Sequence, residues 1–156
     1  MPAAFVVDAS VLVEFLVPGP WAQAADRFMG GLAWSTPLEL FAPDLIFLEV
    51  GNALRKLVIR KALSERVAGK LVARLPGLAI ATIGASALLE PAWSLWRHMT
   101  IYDASYAALA RTLRRPVVTT DHRMVKACTA ARVPAFRVDD PDLNGILDAL
   151  EAAAGP

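Results

Sequence analysis

The stretch Phe5-Val6-Val7-Asp8-Ala9-Ser10 (FVVDAS) decides how the rest of the chain is read. Three residues of high β propensity run straight into an acid and then a small hydroxyl residue. A short, unbroken apolar run fits a strand buried on both faces. The acid that ends it has two readings. One is a helix cap, a position where Asp is favoured by about 1 kcal/mol. The other is membership of a carboxylate cluster that holds a metal ion.

Outward from this stretch, β-rich apolar runs recur at residues 5–7, 40–42, 78–83, 117–119 and 135–138. Helical patterns separate them, at 11–16, 21–29, 45–60, 64–74, 86–98, 101–114, 122–130 and 143–152. The alternation predicts an α/β fold, a mostly parallel central sheet with helices on both faces, with two helices in succession between some strands. The segments VPGP (17–20) and MGG (29–31) are turn signals, and residues 1–156 are expected to form a single domain. Asp44 is expected to cap the helix from residue 45, and Asp142 to start the last helix. Thr100 and Asp103 read as a capping box, and Asp121 as the cap of the 122–130 helix.

Composition narrows the class. The apolar share, 56%, lies above the usual 45–50%, yet no apolar stretch approaches the roughly 18 residues of a membrane helix. The surplus points to a surface covered by a partner or by a second copy. No Lys or Arg precedes the first apolar segment, which Asp8 and Glu14 interrupt, so no signal peptide is expected. The lone cysteine, Cys128, rules out an intramolecular disulfide and a cysteine-based zinc site, and a reducing cytoplasm fits best. Sixteen Lys and Arg against fifteen Asp and Glu neither require nor exclude nucleic acid.

Each candidate acid has a structural alternative. Asp8 and Asp121 follow apolar strands and precede helices, Asp103 belongs to a capping box, and Glu49 shares a helix stripe with Asn52, Lys56 and Arg60 that would ordinarily be solvated. Together they weigh differently. Helices of a parallel α/β layer begin at the carboxyl edge of the sheet, where ligands of open sheets bind. Four carboxylates gathered there repel unless a cation offsets them. Hard oxygen donors suit Mg²⁺ or Mn²⁺. Other motifs fall away: Gly69-Lys70 lacks the rest of a phosphate loop, no GxGxxG is present, and Ser10 stands where a paired-acid phosphohydrolase needs its second acid. His122 reads as a solvent-exposed residue of a first helical turn.

Four blocks, VVDASVLVEFL, APDLIFLEVGNALRK, IYDASYAALA and VVTTDHRM, resemble in order and spacing the signature blocks of the PIN-domain family, and within it the VapC-type toxins. The resemblance implies a PIN-like α/β/α sandwich and a Mg²⁺- or Mn²⁺-dependent endoribonuclease that leaves 5′-phosphate and 3′-hydroxyl ends. It makes Asp8, Glu49, Asp103 and Asp121 the acidic quartet, with Ser10, Asn52 and Thr119 as supporting polar residues and Lys56 and Arg60 as candidates for substrate phosphates. It also implies a small VapB-like antitoxin lying across the helices at 11–29 and 45–60, and a homodimer. The rival readings are a PIN-like RNA-processing nuclease without an antitoxin, and a metal-free module that docks a basic peptide in the acidic pocket.

Overall fold

The computed structural model describes residues 3–31 and 38–154. Strand β1 (Ala4–Val7) is buried at every position, as an apolar run between two helical layers must be. It is followed by α1 (Ala9–Leu16), α2 (Ala22–Gly30), β2 (Glu39–Pro43), α3 (Ile46–Ile59), α4 (Glu65–Arg74) and β3 (Ile80–Ile83). Then come α5 (Ala85–Trp93), α6 (Ile101–Leu113), β4 (Val117–Thr119), α7 (His122–Ala130), β5 (Ala135–Arg137) and α8 (Pro141–Ala154).

The sheet order is β3-β2-β1-β4-β5, and every pairing is parallel. Phe5 lies opposite Leu40, and Val7 opposite Val118. The chain steps outward from β1 through β2 to β3, then returns to the other side of β1 to lay down β4 and β5. The order therefore reverses between β1 and β4, and the crevice at their carboxyl ends is the usual ligand position of such a sheet. Helix α1 touches α2 and α3, and α3 touches α4, whereas α6 packs on α5 and across β1, β2 and β4. Crossovers between parallel strands are right-handed as a rule, so strand order running in opposite directions from β1 accounts for this sorting of helices into two layers. Their apolar faces enclose one core that includes Phe28, Leu12, Ile46, Leu109 and Tyr106, with Phe5 and Phe28 meeting edge to face.

Three local expectations are corrected. Asp44 does not cap α3, whose N-cap position is Leu45 with no side-chain cap. The Asp44 carboxylate instead accepts from the backbone N–H of Ala85 at 3.0 Å, so it caps α5 across the sheet edge. The helix expected at 86–98 stops at Trp93, where the Ser94 hydroxyl takes the Pro91 carbonyl at 2.7 Å and the Leu95 N–H turns instead to Ala92. Residues beyond it continue as turns closed over three residues, such as His98 to Leu95. The last helix starts earlier than expected, with Pro141 in its first turn and Asp140, not Asp142, accepting the Asp142 N–H at 2.9 Å. Among the described residues, no helix is long and apolar enough to cross a membrane.

Candidate active site

Asp8 occupies the N-cap position of α1 but makes no side-chain capping bond. Its backbone N–H still reaches Val118 on β4, at 2.9 Å, so the main chain is pinned in the crevice where the strand order reverses. Its side chain is held from elsewhere. The hydroxyls of Ser10 and Thr119 both reach Asp8 Oδ2, at 2.6 and 2.7 Å. The same hydroxyl oxygens accept backbone N–H groups, Ser10 from Thr120 at 3.0 Å and Thr119 from Asp121 at 3.1 Å. Each hydroxyl has one proton, and with the backbone supplying the incoming donors those protons point at Asp8. The arrangement fixes one carboxylate oxygen and leaves the other without a protein donor among the described residues. Thr119 is completely buried, so its choice of partners is fixed by the fold.

Glu49 lies in the first turn of α3, half-buried, while Asn52, Lys56 and Arg60 of the same stripe are exposed. The expected solvated stripe therefore begins only after Glu49. The buried hydroxyl of Tyr106 donates to Glu49 Oε2 at 2.7 Å. Burial pushes the Glu49 carboxyl above its ordinary value; the Tyr106 bond pulls it down, and the charges of Asp8 and Asp103 push it up again.

Asp103 sits in the first turn of α6, behind Thr100. Thr100 Oγ1 accepts the Asp103 N–H at 3.2 Å, as an N-cap should, and donates to Asp103 Oδ2 at 3.0 Å. The carboxylate thus meets the cap hydroxyl, and the return bond of a full capping box to the Thr100 N–H is not made among the described residues. Burial raises the Asp103 carboxyl, the Thr100 bond lowers it, and Asp8 and Asp121 raise it. Asp121 is the true cap: its carboxylate accepts the Arg123 N–H at 2.8 Å at the start of α7. His122 beside it is exposed, as expected.

The charge of Asp8 reaches both Glu49 and Asp103, and that of Asp121 reaches Asp103. The four acids do not form a closed ligand set: among the described residues, no three His, Cys, Asp or Glu side chains stand close enough to hold a metal ion. The donor chemistry nevertheless fits a hard cation that keeps part of its water shell. Asp8, Glu49 and Asp103 each have one oxygen engaged by a hydroxyl, and two of them are pushed toward protonation by burial and by one another's charge.

One residue of this region escaped the sequence reading. Tyr106 follows Asp103 by three residues, one helical turn, and only that spacing could have marked it. Cys128 is buried, and burial, with the charges of Asp103 and Asp8 behind it, pushes the thiol up to about 12. It is an apolar filler at neutral pH and no nucleophile.

The PIN-domain family model matches residues 5–130, a span that contains all four acids. The chain belongs to the PIN-domain family. This PIN domain is 37% identical to the Mycobacterium tuberculosis protein named Ribonuclease VapC1 over 123 residues, 78% of this chain and 89% of that one. It is 31% identical to Ribonuclease VapC3 of the same organism, over 83% of this chain and 91% of that one. Among solved structures, the crystal structure of Mycobacterium tuberculosis VapC20, described as a Sarcin-Ricin loop cleaving toxin, superposes with a TM-score of 0.63 at 20% identity. That match covers 85% of this chain and 98% of that chain and shows a shared fold.

Proposed function

We propose that this PIN domain is a cytoplasmic, Mg²⁺- or Mn²⁺-dependent endoribonuclease of the VapC toxin kind, acting as a single domain over residues 1–156. The observation that carries the reading is the holding of Asp8: two hydroxyl protons on one carboxylate oxygen, at the crevice between β1 and β4, with Glu49 and Asp103 close enough to feel its charge. A helix cap needs none of this.

Asp8, Glu49 and Asp103 would hold the ion directly or through its waters, with Asp121 at the rim. When bound, the ion supplies a nucleophilic water near neutral pH and offsets charge on the scissile phosphate. The protein's own contribution is order. Ser10 and Thr119 keep Asp8 from rotating, Tyr106 and Thr100 do the same for Glu49 and Asp103, and Asp121 is anchored by the α7 N-terminus. Support of this kind fixes ligand geometry. Asn52 is exposed one turn beyond Glu49, and Lys56 and Arg60 continue the same face, where the RNA backbone can meet them.

A small VapB-like antitoxin would lie across α1, α2 and α3, where Ile59 is exposed, and a second copy of this chain would cover Leu89, Trp93 and Trp96. The test is cleavage of RNA by purified protein with Mn²⁺, with Mg²⁺ and with EDTA. Asp8→Asn and Asp103→Asn should each remove nearly all metal-dependent cleavage, the double variant should add little, and the cognate antitoxin should suppress the wild type. Cleavage by Asp8→Asn within a few-fold of wild type at saturating metal sinks the assignment. Calorimetric absence of metal binding would favour the peptide-docking module instead.

A further inference from the structure

Beside the acids, Leu45, Leu48, Glu49, Asn52 and Tyr102 line an open groove of about 350 Å³. Its two apolar walls are the most exposed large apolar side chains among the described residues, Leu48 at 79% and Tyr102 at 68%. Neither contributes to the core. Each precedes an acid by one residue, so the first turns of α3 and α6 that deliver Glu49 and Asp103 also deliver the walls. Between them Asn52 presents an exposed side-chain amide with both donor and acceptor atoms.

We propose that this groove is the subsite for one unpaired nucleobase of the RNA, the base adjacent to the scissile phosphate, stacked on Tyr102 with Leu48 opposite and the Asn52 amide at its edge. The inference rests on the nuclease reading and adds where the substrate is gripped. Charge selects the occupant. Glu49 lines the groove and no Lys or Arg does, so a phosphate is disfavoured there, whereas a base is neutral and has apolar faces. Size and place agree, because a base lies one sugar away from the phosphate that the neighbouring acids would address. The occupant must be single-stranded, since stacked neighbours cover the faces of a base inside an A-form helix. Aromatic stacking of this kind is tolerant of base identity, and Asn52 supplies the means to prefer one edge pattern over another.

The experiment uses a short single-stranded RNA with one cleavage position, and the same RNA made abasic at the nucleotide on either side in turn. Wild type, Tyr102→Ala, Tyr102→Phe and Leu48→Ala are compared by kcat/KM, and by Kd in an Asp8→Asn background, where binding is read without turnover. In wild type, the abasic position on one side should lower kcat/KM by roughly tenfold or more. Tyr102→Ala should lose a similar factor on intact RNA and show no further loss on the abasic RNA, while Tyr102→Phe keeps the wild-type pattern. The Kd series should show the same coupling. Losses that simply multiply, or Tyr102→Ala and Leu48→Ala proteins that cut and bind intact RNA like wild type, overturn the subsite and give the groove to a protein partner. Failure of the wild type to cut any RNA with metal overturns the nuclease reading along with it.

Discussion

Tyr106 shows how much of a carboxylate's behaviour is set by a residue that cannot itself touch substrate. Its ring is 1% exposed, and its hydroxyl proton is committed to Glu49 Oε2. Burial and the charges of Asp8 and Glu49 drive the phenol far above its ordinary value, so it never ionises in the working range and remains a donor. Glu49 is pushed up by burial and held down by this bond, so Tyr106→Phe should raise it further. The sign follows: Glu49 must be ionised to hold a cation, hence activity rises with pH through its titration, and the variant's rising limb should move to higher pH. A hydrogen bond to a charged group contributes about 1.5–3 kcal/mol, so at a pH below the limb the loss should be roughly tenfold to a hundredfold, recovering toward wild type as pH is raised. The check is the pH profile of metal-dependent cleavage. A uniform fall with an unmoved limb means that Tyr106 merely packs.

At the scale of elements, three helices end in the same unusual way. Lys61, Arg114 and Arg132 all have positive φ, at 59, 54 and 57°, just past α3, α6 and α7. In each case the next N–H returns to a carbonyl five residues back: Ala62 to Leu57, Arg115 to Ala110, Val133 to Cys128. This is the Schellman closure, normally built on Gly. A left-handed conformation costs an L-residue about 1–2 kcal/mol, partly offset here by a cation at the negative end of the helix dipole. Arg132→Gly relieves the strain and gives back about 0.4–1 kcal/mol in unfolded-chain entropy, so it should be neutral to slightly stabilising. Arg132→Val should destabilise by about 1–2 kcal/mol. Denaturant midpoints of the two variants read this directly, and a Gly variant weaker than the Val variant contradicts it. None of these turns was legible in the sequence, because no Gly marks them, although the helices end within a residue of where the apolar pattern stops. The strands were legible for the opposite reason: in a buried parallel sheet, FVV is an unbroken apolar run, and VVT departs from one only at Thr119, whose hydroxyl is bonded to Asp8. The end of α5 was hidden because the turns at 94–98 continue its pattern past Trp93.

For the whole molecule, topology and electrostatics oppose each other at one edge. The reversal of strand order puts Asp8 and Asp121 on either side of one crevice, and α3 and α6 bring Glu49 and Asp103 to it. The sequence made the placement of each acid readable, since every one stands just after a strand or in a first helical turn. It did not make the hydroxyl and phenol partners' exact hold readable, because Tyr106 reaches Glu49 across 57 residues. Without a cation the convergence is a liability. Glu49 and Asp103 titrate above their unfolded values, so the folded state binds more protons than the unfolded chain as pH rises past the ordinary carboxylate range. Their contribution is therefore most favourable below that range and is lost as pH climbs through the raised values toward neutrality. Asp103→Asn keeps the shape and the Thr100 contact but removes one of the charges. In EDTA at neutral pH it should melt above wild type; if screening leaves about 1 kcal/mol of repulsion, the gap is about 2–4 °C. The gap should narrow as pH falls into the carboxylate range, because the raised Asp103 carboxyl takes up its proton there before an ordinary Asp does. Millimolar Mn²⁺ should raise the wild-type midpoint, adding about 2.7 kcal/mol of stability at a hundredfold excess over Kd, and narrow or reverse the difference, since the ion stabilises only the folded state. A residue whose role is to start a helix behaves otherwise: near the positive end of the helix dipole its charge is favourable, and its loss weakens the fold in either buffer. Thermal melts of both proteins, with EDTA and with Mn²⁺, separate the two. An Asp103→Asn protein equally destabilised in both buffers, beside a wild type indifferent to metal, makes Asp103 a helix-start residue and removes it from the site.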